Sequence, residues 1–366
     1  MNNMSNLPSL TTGAMIKTLT DLFIRMSPRT TPSIMIWSAP GVGKSEGCCQ
    51  VATNVGKVLQ KKAIITDIRL LLFQAIDLRG IPVADANKEF AIWLRPQIFD
   101  MDPSENIINF LILDEISAAP PSVQAAAYQL TLDRKIGEHA LPDNCYVICC
   151  GNRVTDKSVA YKPPKALCNR LIHLELKPTV EDWKKNYAIP NNIDARIISY
   201  MNKKAVDSAL FDFDASSDDL AFRTPRSWSF VNSLIEDIDD VQSIFPLIAG
   251  TIGPGSATDF TAYCRFFEKI PDINKIFTGE CKDIPKEPDV LYALSGALFG
   301  SAQKQNQVGI NHMCDYLENI SSDVAYLVIK DCLTVPELRI KICTSPGWSR
   351  YMLQKWSEIL LSNDEV

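Results

Sequence analysis

Apolar positions follow two regimes along this chain. Up to about residue 177, short fully apolar runs alternate with longer stretches of helical period; beyond it the period is helical throughout. Residues 14–26, AMIKTLTDLFIRM, space their apolar side chains as an amphipathic helix would. The run Ser33–Trp37 predicts a buried strand, ended by a glycine-containing loop and a helix from about Lys44 to Leu59. Ala63–Ile68, Asn109–Leu113 (NFLIL) and Cys145–Cys150 (CYVICC) predict further strands, and the looser alternation of Leu171–Leu176 (LIHLEL) a fifth. Ser122–Leu132 carries a helical pattern between them. Strands this short, apolar on both sides and separated by helices, predict a parallel sheet covered on both faces.

After Lys177 the strand signals fade. VEDWKKNYA, NIDARIISYMNKK, SWSFVNSLIEDI and VLYALSGALF all have helical period. The expectation is an α/β domain over residues 1–177, with an insert at about 69–100, then a mainly helical part over 178–366. No repeat of 20–50 residues is visible.

Composition narrows the function classes. The 366 residues are 46% hydrophobic and 22% charged with a net charge of −6, as in an ordinary globular protein. That mild acidity gives no support to a sequence-independent nucleic-acid binder. Eleven cysteines are an odd number with no C-x-x-C pair, which favours free thiols in a reducing compartment. His139, His173 and His312 offer a zinc site little to build on. The start MNNMSNLPSLTTG lacks the build of a signal peptide, and no apolar run approaches the ~20 residues of a membrane span. The expected location is the cytoplasm.

The stretch SAPGVGKS, Ser38–Ser45, looks like a phosphate-binding loop, G-x-x-x-x-G-K-[ST], with serine where the first glycine is expected. Gly41 and Gly43 let the backbone turn its N–H groups toward phosphate oxygens, and the following helix adds its positive end. The segment Ala39, Pro40, Gly41, Val42, Gly43, Lys44 and Ser45 would thus bind ATP. Lys44 would neutralise the β- and γ-phosphates, and the Ser45 hydroxyl would ligate Mg²⁺. The small Ser38 is expected to be tolerated.

Roughly seventy residues downstream, FLILDEI (Phe110–Ile116) ends an apolar strand in two carboxylates. Asp114 can hold the Mg²⁺ water shell beside Ser45, and Glu115 can orient and partly deprotonate the attacking water. With the upstream loop this pair points to hydrolysis rather than simple binding. Asn152 in CCGNR either shares the lytic water or stands in an ordinary turn. Arg170 in LCNRLIHL is either a surface ion pair or a guanidinium reaching a neighbour's γ-phosphate. Arg226, in FRTPRSW ahead of a helix of the second part, could grip phosphates.

Taken in order, GKS, LILDE, GNR, the L-x-N-R of Leu167–Arg170 and the T-P-R of Thr224–Arg226 resemble an AAA+ ATPase of the MoxR-like branch. DLRGIP (Asp77–Pro82), APPSVQAAAYQLTLDRKIGEH (Ala119–His139), NRLIHLELKPTVEDW (Asn169–Trp183) and GTIGPGSATDF (Gly250–Phe260) extend that similarity over roughly residues 30–300. The resemblance implies a five-stranded parallel P-loop NTPase sheet flanked by helices, followed by a helical lid and a C-terminal helical extension. Lys44 and Ser45 would be Walker A, Asp114 and Glu115 Walker B, Asn152 sensor 1, Arg170 the arginine finger and Arg226 sensor 2. It also implies a homo-oligomer, in that family a hexameric ring, acting as a chaperone-like remodeller of a protein client beside a von Willebrand factor A domain protein.

Two other functions stand beside it: a nucleotide-gated scaffold with little turnover, and an AAA+ motor acting on DNA. Several further segments have plainer readings. Asp77–Pro82 either touches a partner or fixes the insert's own fold. DFDASSDD (Asp212–Asp219) lacks the glycine and terminal glutamate of a calcium loop. IEDIDD (Ile235–Asp240) reads as the polar end of a helix, GTIGPG (Gly250–Gly255) as a helix–helix turn, and Trp183, Trp228, Trp348 and Trp356 as core residues.

Overall fold

In a computed structural model of the protein, the residues described are 7–156, 161, 168–204 and 206–351. Leu167 and Trp356 lie outside them. The chain divides into two compact units: residues up to Pro178 together with Phe213–Asp218, and Thr179–Asp212 together with Asp219 onward.

The first unit is built on strands β1 (Ser9–Leu10), β2 (Ile34–Trp37), β3 (Lys62–Arg69), β4 (Ile81–Ala84), β5 (Ala91–Leu94), β6 (Ile107–Asp114), β7 (Lys135–Ile136), β8 (His139–Ala140), β9 (Cys145–Gly151) and β10 (Ile172–Leu176). Six form one parallel sheet in the order β1-β10-β2-β9-β6-β3. The five strands expected from the apolar runs are all present; the correction is the sixth, β1. Its two residues pair with Glu175 and Leu176 at the sheet edge. A pairing that short has no periodicity to read and is set by its partner strand.

Helices α1 (Thr12–Arg25), α2 (Lys44–Leu59), α3 (Ala75–Arg79) and α4 (Pro121–Asp133) belong to the same unit. The consecutive apolar residues of β6 and β9 have distinct neighbours. Leu111, Leu113, Cys145, Val147 and Cys149 share a buried cluster with Val123, Ala126 and Leu130 of α4. The alternate residues Phe110 and Tyr146 pack against Phe23 of α1, edge-on and tilted, at ring-centroid distances of 5.8 and 4.4 Å. Both faces are therefore covered, and each fully buried Leu, Ile or Phe contributes about 1.5–3 kcal/mol relative to exposure.

Between β3 and β6 the insert folds as a 3-10 turn (Leu70–Leu72), α3, and the antiparallel hairpin β4–β5. A side chain at Gly80 would collide with the Leu94 carbonyl, so glycine is required where α3 enters the hairpin. The Asp77 carboxylate accepts a hydrogen bond from the Gln74 N–H at 2.7 Å and caps α3, while Arg79 is exposed.

The second unit is helical around a continuous apolar cluster that includes Trp183, Trp228, Ile198, Phe260 and Phe299. Trp348 packs on its edge. GTIGPG is a helix–helix junction: Phe245–Ile252 ends at Gly253, whose φ is 86°, and Pro254–Cys264 begins immediately. IEDIDD begins on the last residue of a helix, Ile235, and runs on past its end. VEDWKKNYA forms one α-turn, Val180–Trp183, then a π-helical turn, Lys184–Ala188. There the buried Lys184 ammonium meets Asp331 at 2.6 Å. Among the described residues no helix is long and apolar enough to cross a membrane.

Candidate functional site

Parallel strands put the loops that follow their carboxyl ends at one edge of the sheet, and the crevice there, where strand order reverses, is where such sheets bind ligands. Here β2 lies between β9 and β10, and the loop after β2 is Ser38–Gly43. Its left-handed residues are both glycine, Gly41 at φ 75° and Gly43 at φ 102°. A Cβ at Gly43 would touch nothing, so backbone conformation alone calls for glycine there. Gly43 is also the N-cap of α2 and supplies no side-chain cap to the first helical turn, the end of a helix that attracts anions.

Ser38 is not among the positive-φ residues. Its position therefore does not demand glycine. The serine is fully buried, and its hydroxyl accepts from the Lys44 ammonium at 3.0 Å while donating to the Ala39 carbonyl at 2.7 Å. Replacing the glycine adds a polar contact for Lys44 without straining the loop.

The ends of three strands converge on this lysine. Lys44 Nζ donates to Asn152 Oδ1 at 2.8 Å, just past β9. The neighbouring Ser45 hydroxyl donates to Asp114 Oδ2 at 2.5 Å, at the tip of β6. The other Asp114 oxygen accepts the Glu115 N–H at 2.7 Å. Glu115 is held at φ 56°, a conformation costing a non-glycine residue about 1–3 kcal/mol. Two backbone hydrogen bonds maintain that turn, Ile116 N–H to the Cys150 carbonyl and Ala118 N–H to the Glu115 carbonyl, both at 3.0 Å. Negative charge accumulates here: desolvation, and then the Asp114 charge, push the Asp67 carboxyl above its ordinary range.

Ser117 belongs to this arrangement although the motif reading passes over it. Its buried hydroxyl accepts the Asn152 N–H at 2.9 Å, tying the acidic turn to the amide that meets Lys44. A Cβ at Gly151 would fall 3.1 Å from that hydroxyl and 2.7 Å from Met35 Cε, so the strand end is closely packed. In sequence, Ser117 looks like any serine in a turn. Arg153, the last residue of GNR, is consumed structurally, pairing with Asp156 at 2.9 Å and Glu175 at 2.7 Å.

Arg170 is elsewhere. It is exposed, in the turn before β10. Ile172 pairs with Ile34 and Glu175 with Trp37, so β10 starts where β2 starts. Arg170 thus stands at the amino edge of the sheet, opposite the edge bearing its own Ser38–Ser45 loop. Arg226 belongs to the helical unit, exposed at the second position of helix Pro225–Ile235 behind the Thr224 N-cap. A cation there faces the positive end of its own helix, which gives it no local stabilisation.

The residues present fit a magnesium-bound nucleoside triphosphate. The donor set is a glycine-turned loop, one ammonium, one hydroxyl and one carboxylate. Among the described residues no group of three or more His, Cys, Asp or Glu is arranged to hold a metal. Mg²⁺ needs no such cage, since it is usually held by one or two carboxylates together with substrate phosphates.

No family model and no curated protein matches the chain. Solved structures do align with it loosely. Aeropyrum pernix ORC2 protein, in ADPNP–ADP complexes, is 9% identical over 91% of this chain and 88% of that one, with a TM-score of 0.39. A point mutant of Thermotoga maritima RuvB is 14% identical over 87% and 90%, at 0.37. C. elegans PCH-2 is 13% identical over 71% and 70%, at 0.36. Superpositions this loose establish nothing about activity; the architecture rests on strand order and site geometry.

Proposed function

We propose that this chain is the subunit of an oligomeric Mg-ATP-hydrolysing AAA+ ATPase of MoxR-like type that remodels a partner protein. The observation that carries the ATPase reading is the convergence of Lys44, Ser45, Asp114, Glu115 and Asn152 at the ends of three adjacent strands.

On this reading Lys44 exchanges Ser38 and Asn152 for phosphate oxygens. Mg²⁺, held by Ser45 and Asp114, would offset charge on the phosphates. Glu115 accepts a proton from the attacking water, whose oxygen bonds to the γ-phosphorus as the bond to the bridging oxygen breaks. Asn152, its Oδ1 released by Lys44, holds that water in line. Strain retained at Glu115 favours turnover over a passive nucleotide switch, since a switch has no use for an aimed base.

The transition-state charge calls for one more cation, and Arg170 stands at the wrong sheet edge to supply it to its own site. A second copy would supply it, which makes assembly part of catalysis. The hexameric ring, the sensor role of Arg226 and a von Willebrand factor A domain partner follow the sequence resemblance. The hairpin β4–β5 exposes Ile81, Phe90 and Leu94 at 60, 69 and 55%, apolar surface suited to contact with a client protein.

Hydrolysis per subunit is expected to rise with protein concentration and to disappear when EDTA removes Mg²⁺. A phosphate-release assay over a dilution series checks this. A rate per subunit that is constant on dilution, or indifferent to EDTA, contradicts the proposal.

A further inference from the structure

A hydrogen-bonded path runs along one face of the sheet from the strand feeding the phosphate loop toward the edge that carries Arg170. Trp37 is the last residue of β2, directly before Ser38. Its indole Nε1–H donates to His173 Nδ1 at 3.0 Å. His173 pairs with Met35, two residues before Trp37, so the indole reaches it diagonally across the strand pair. The rings lie nearly parallel, at 16° and a centroid distance of 6.1 Å.

An indole nitrogen only donates. His173 Nδ1 must therefore accept, which leaves the imidazole proton on Nε2. Nε2 lies 2.8 Å from the Cys168 carbonyl oxygen, and with the proton there the contact is a donated hydrogen bond. That carbonyl belongs to the residue directly before the turn at 169–170. The indole thus selects the tautomer that grips the turn.

We propose that His173 is a positioning residue for Arg170, holding the turn at 169–170 by the Cys168 carbonyl that precedes it while Trp37 holds the imidazole. The inference rests on the reading that Arg170 serves the site of a neighbouring copy. It also makes one continuous element of β2, its phosphate loop and the turn presented to that neighbour. An exposed arginine on a turn has many rotamers; a fixed backbone origin reduces what must be ordered in the transition state.

His173→Phe keeps a ring and removes both hydrogen bonds. Misplacing a reacting group by about 1 Å can cost about a hundredfold in rate. The variant is expected to lose about tenfold to a hundredfold in kcat while its KM for ATP stays within about twofold. Trp37→Phe, which removes the indole N–H together with part of a buried ring and leaves the His173 bond to the turn in place, should move kcat in the same direction and less. His173→Gln, whose amide can still donate to the Cys168 carbonyl, should retain more activity than His173→Phe.

The decisive arm mixes subunits. Lys44→Ala copies offer an intact Arg170, so adding them to His173→Phe copies should restore hydrolysis, as it should for Arg170→Ala copies. If His173→Phe leaves kcat unchanged, or raises KM in step, the inference is overturned. It is also overturned if mixing rescues Arg170→Ala and not His173→Phe. An Arg170→Ala protein that turns over normally overturns the parent reading instead, and His173 then has no positioning role.

Discussion

Glu115→Gln is expected to bind ATP as tightly as the native protein and to hydrolyse it about 10²–10⁴-fold more slowly, the usual contribution of a general base. The amide keeps the size of the side chain and the φ of 56°, so the turn that Asp114 fixes through the Glu115 N–H is retained. What is lost is the capacity to take a proton from water. Titration with a fluorescent ATP analogue beside a phosphate-release assay separates the two effects. Glu115→Gly gives a complementary result. It removes the same base but releases backbone strain of about 1–3 kcal/mol, so it should unfold at a higher temperature while being equally inactive. A Glu115→Gln protein with native turnover would remove the base from the mechanism.

Lys44→Ala should act one step earlier. Hydrogen bonds to charged groups contribute about 1.5–3 kcal/mol each. Losing contacts to two phosphates should therefore weaken ATP binding by about two to four orders of magnitude. The fold should survive, because Lys44 is partly exposed and its partners Ser38 and Asn152 keep other hydrogen bonds, to the Ala39 carbonyl and from the Asn152 N–H to Ser117. Calorimetric titration with ATP, with circular dichroism as a check on folding, reads the outcome. An unchanged Kd would mean that the Ser38–Ser45 loop does not hold the nucleotide.

The centre of the sheet was legible because its strands are apolar on both faces. Ile107–Asp114 and Cys145–Gly151 have no polar alternation to confuse with a surface strand, and glycine or acidic residues mark where they stop. The same rule hides β1, where two residues gain strand character only by pairing with β10. It also hides the hairpin β4–β5, whose exposed Ile81, Ile92 and Leu94 break the relation between apolar sequence and burial.

At the site, the residues readable in sequence are those whose chemistry goes with a fixed spacing along the chain, Lys44, Ser45, Asp114 and Glu115. Ser117 and His173 are different. Their roles depend on partners far away in the chain, Asn152 for one and Trp37 for the other, and no local pattern announces such a contact. The edge on which Arg170 stands likewise came from strand register, which the order of motifs leaves open.

Two inactive proteins offer the sharpest test. Lys44→Ala should carry a sound Arg170 but bind ATP too weakly to turn it over; Arg170→Ala should bind ATP but lack the cation its neighbour needs. Measured separately, each should hydrolyse ATP at background rate. Mixed under conditions that let subunits exchange, they should regain activity, with a maximum at intermediate ratios. Background activity at every ratio, in assemblies shown to contain both proteins, would contradict the shared site.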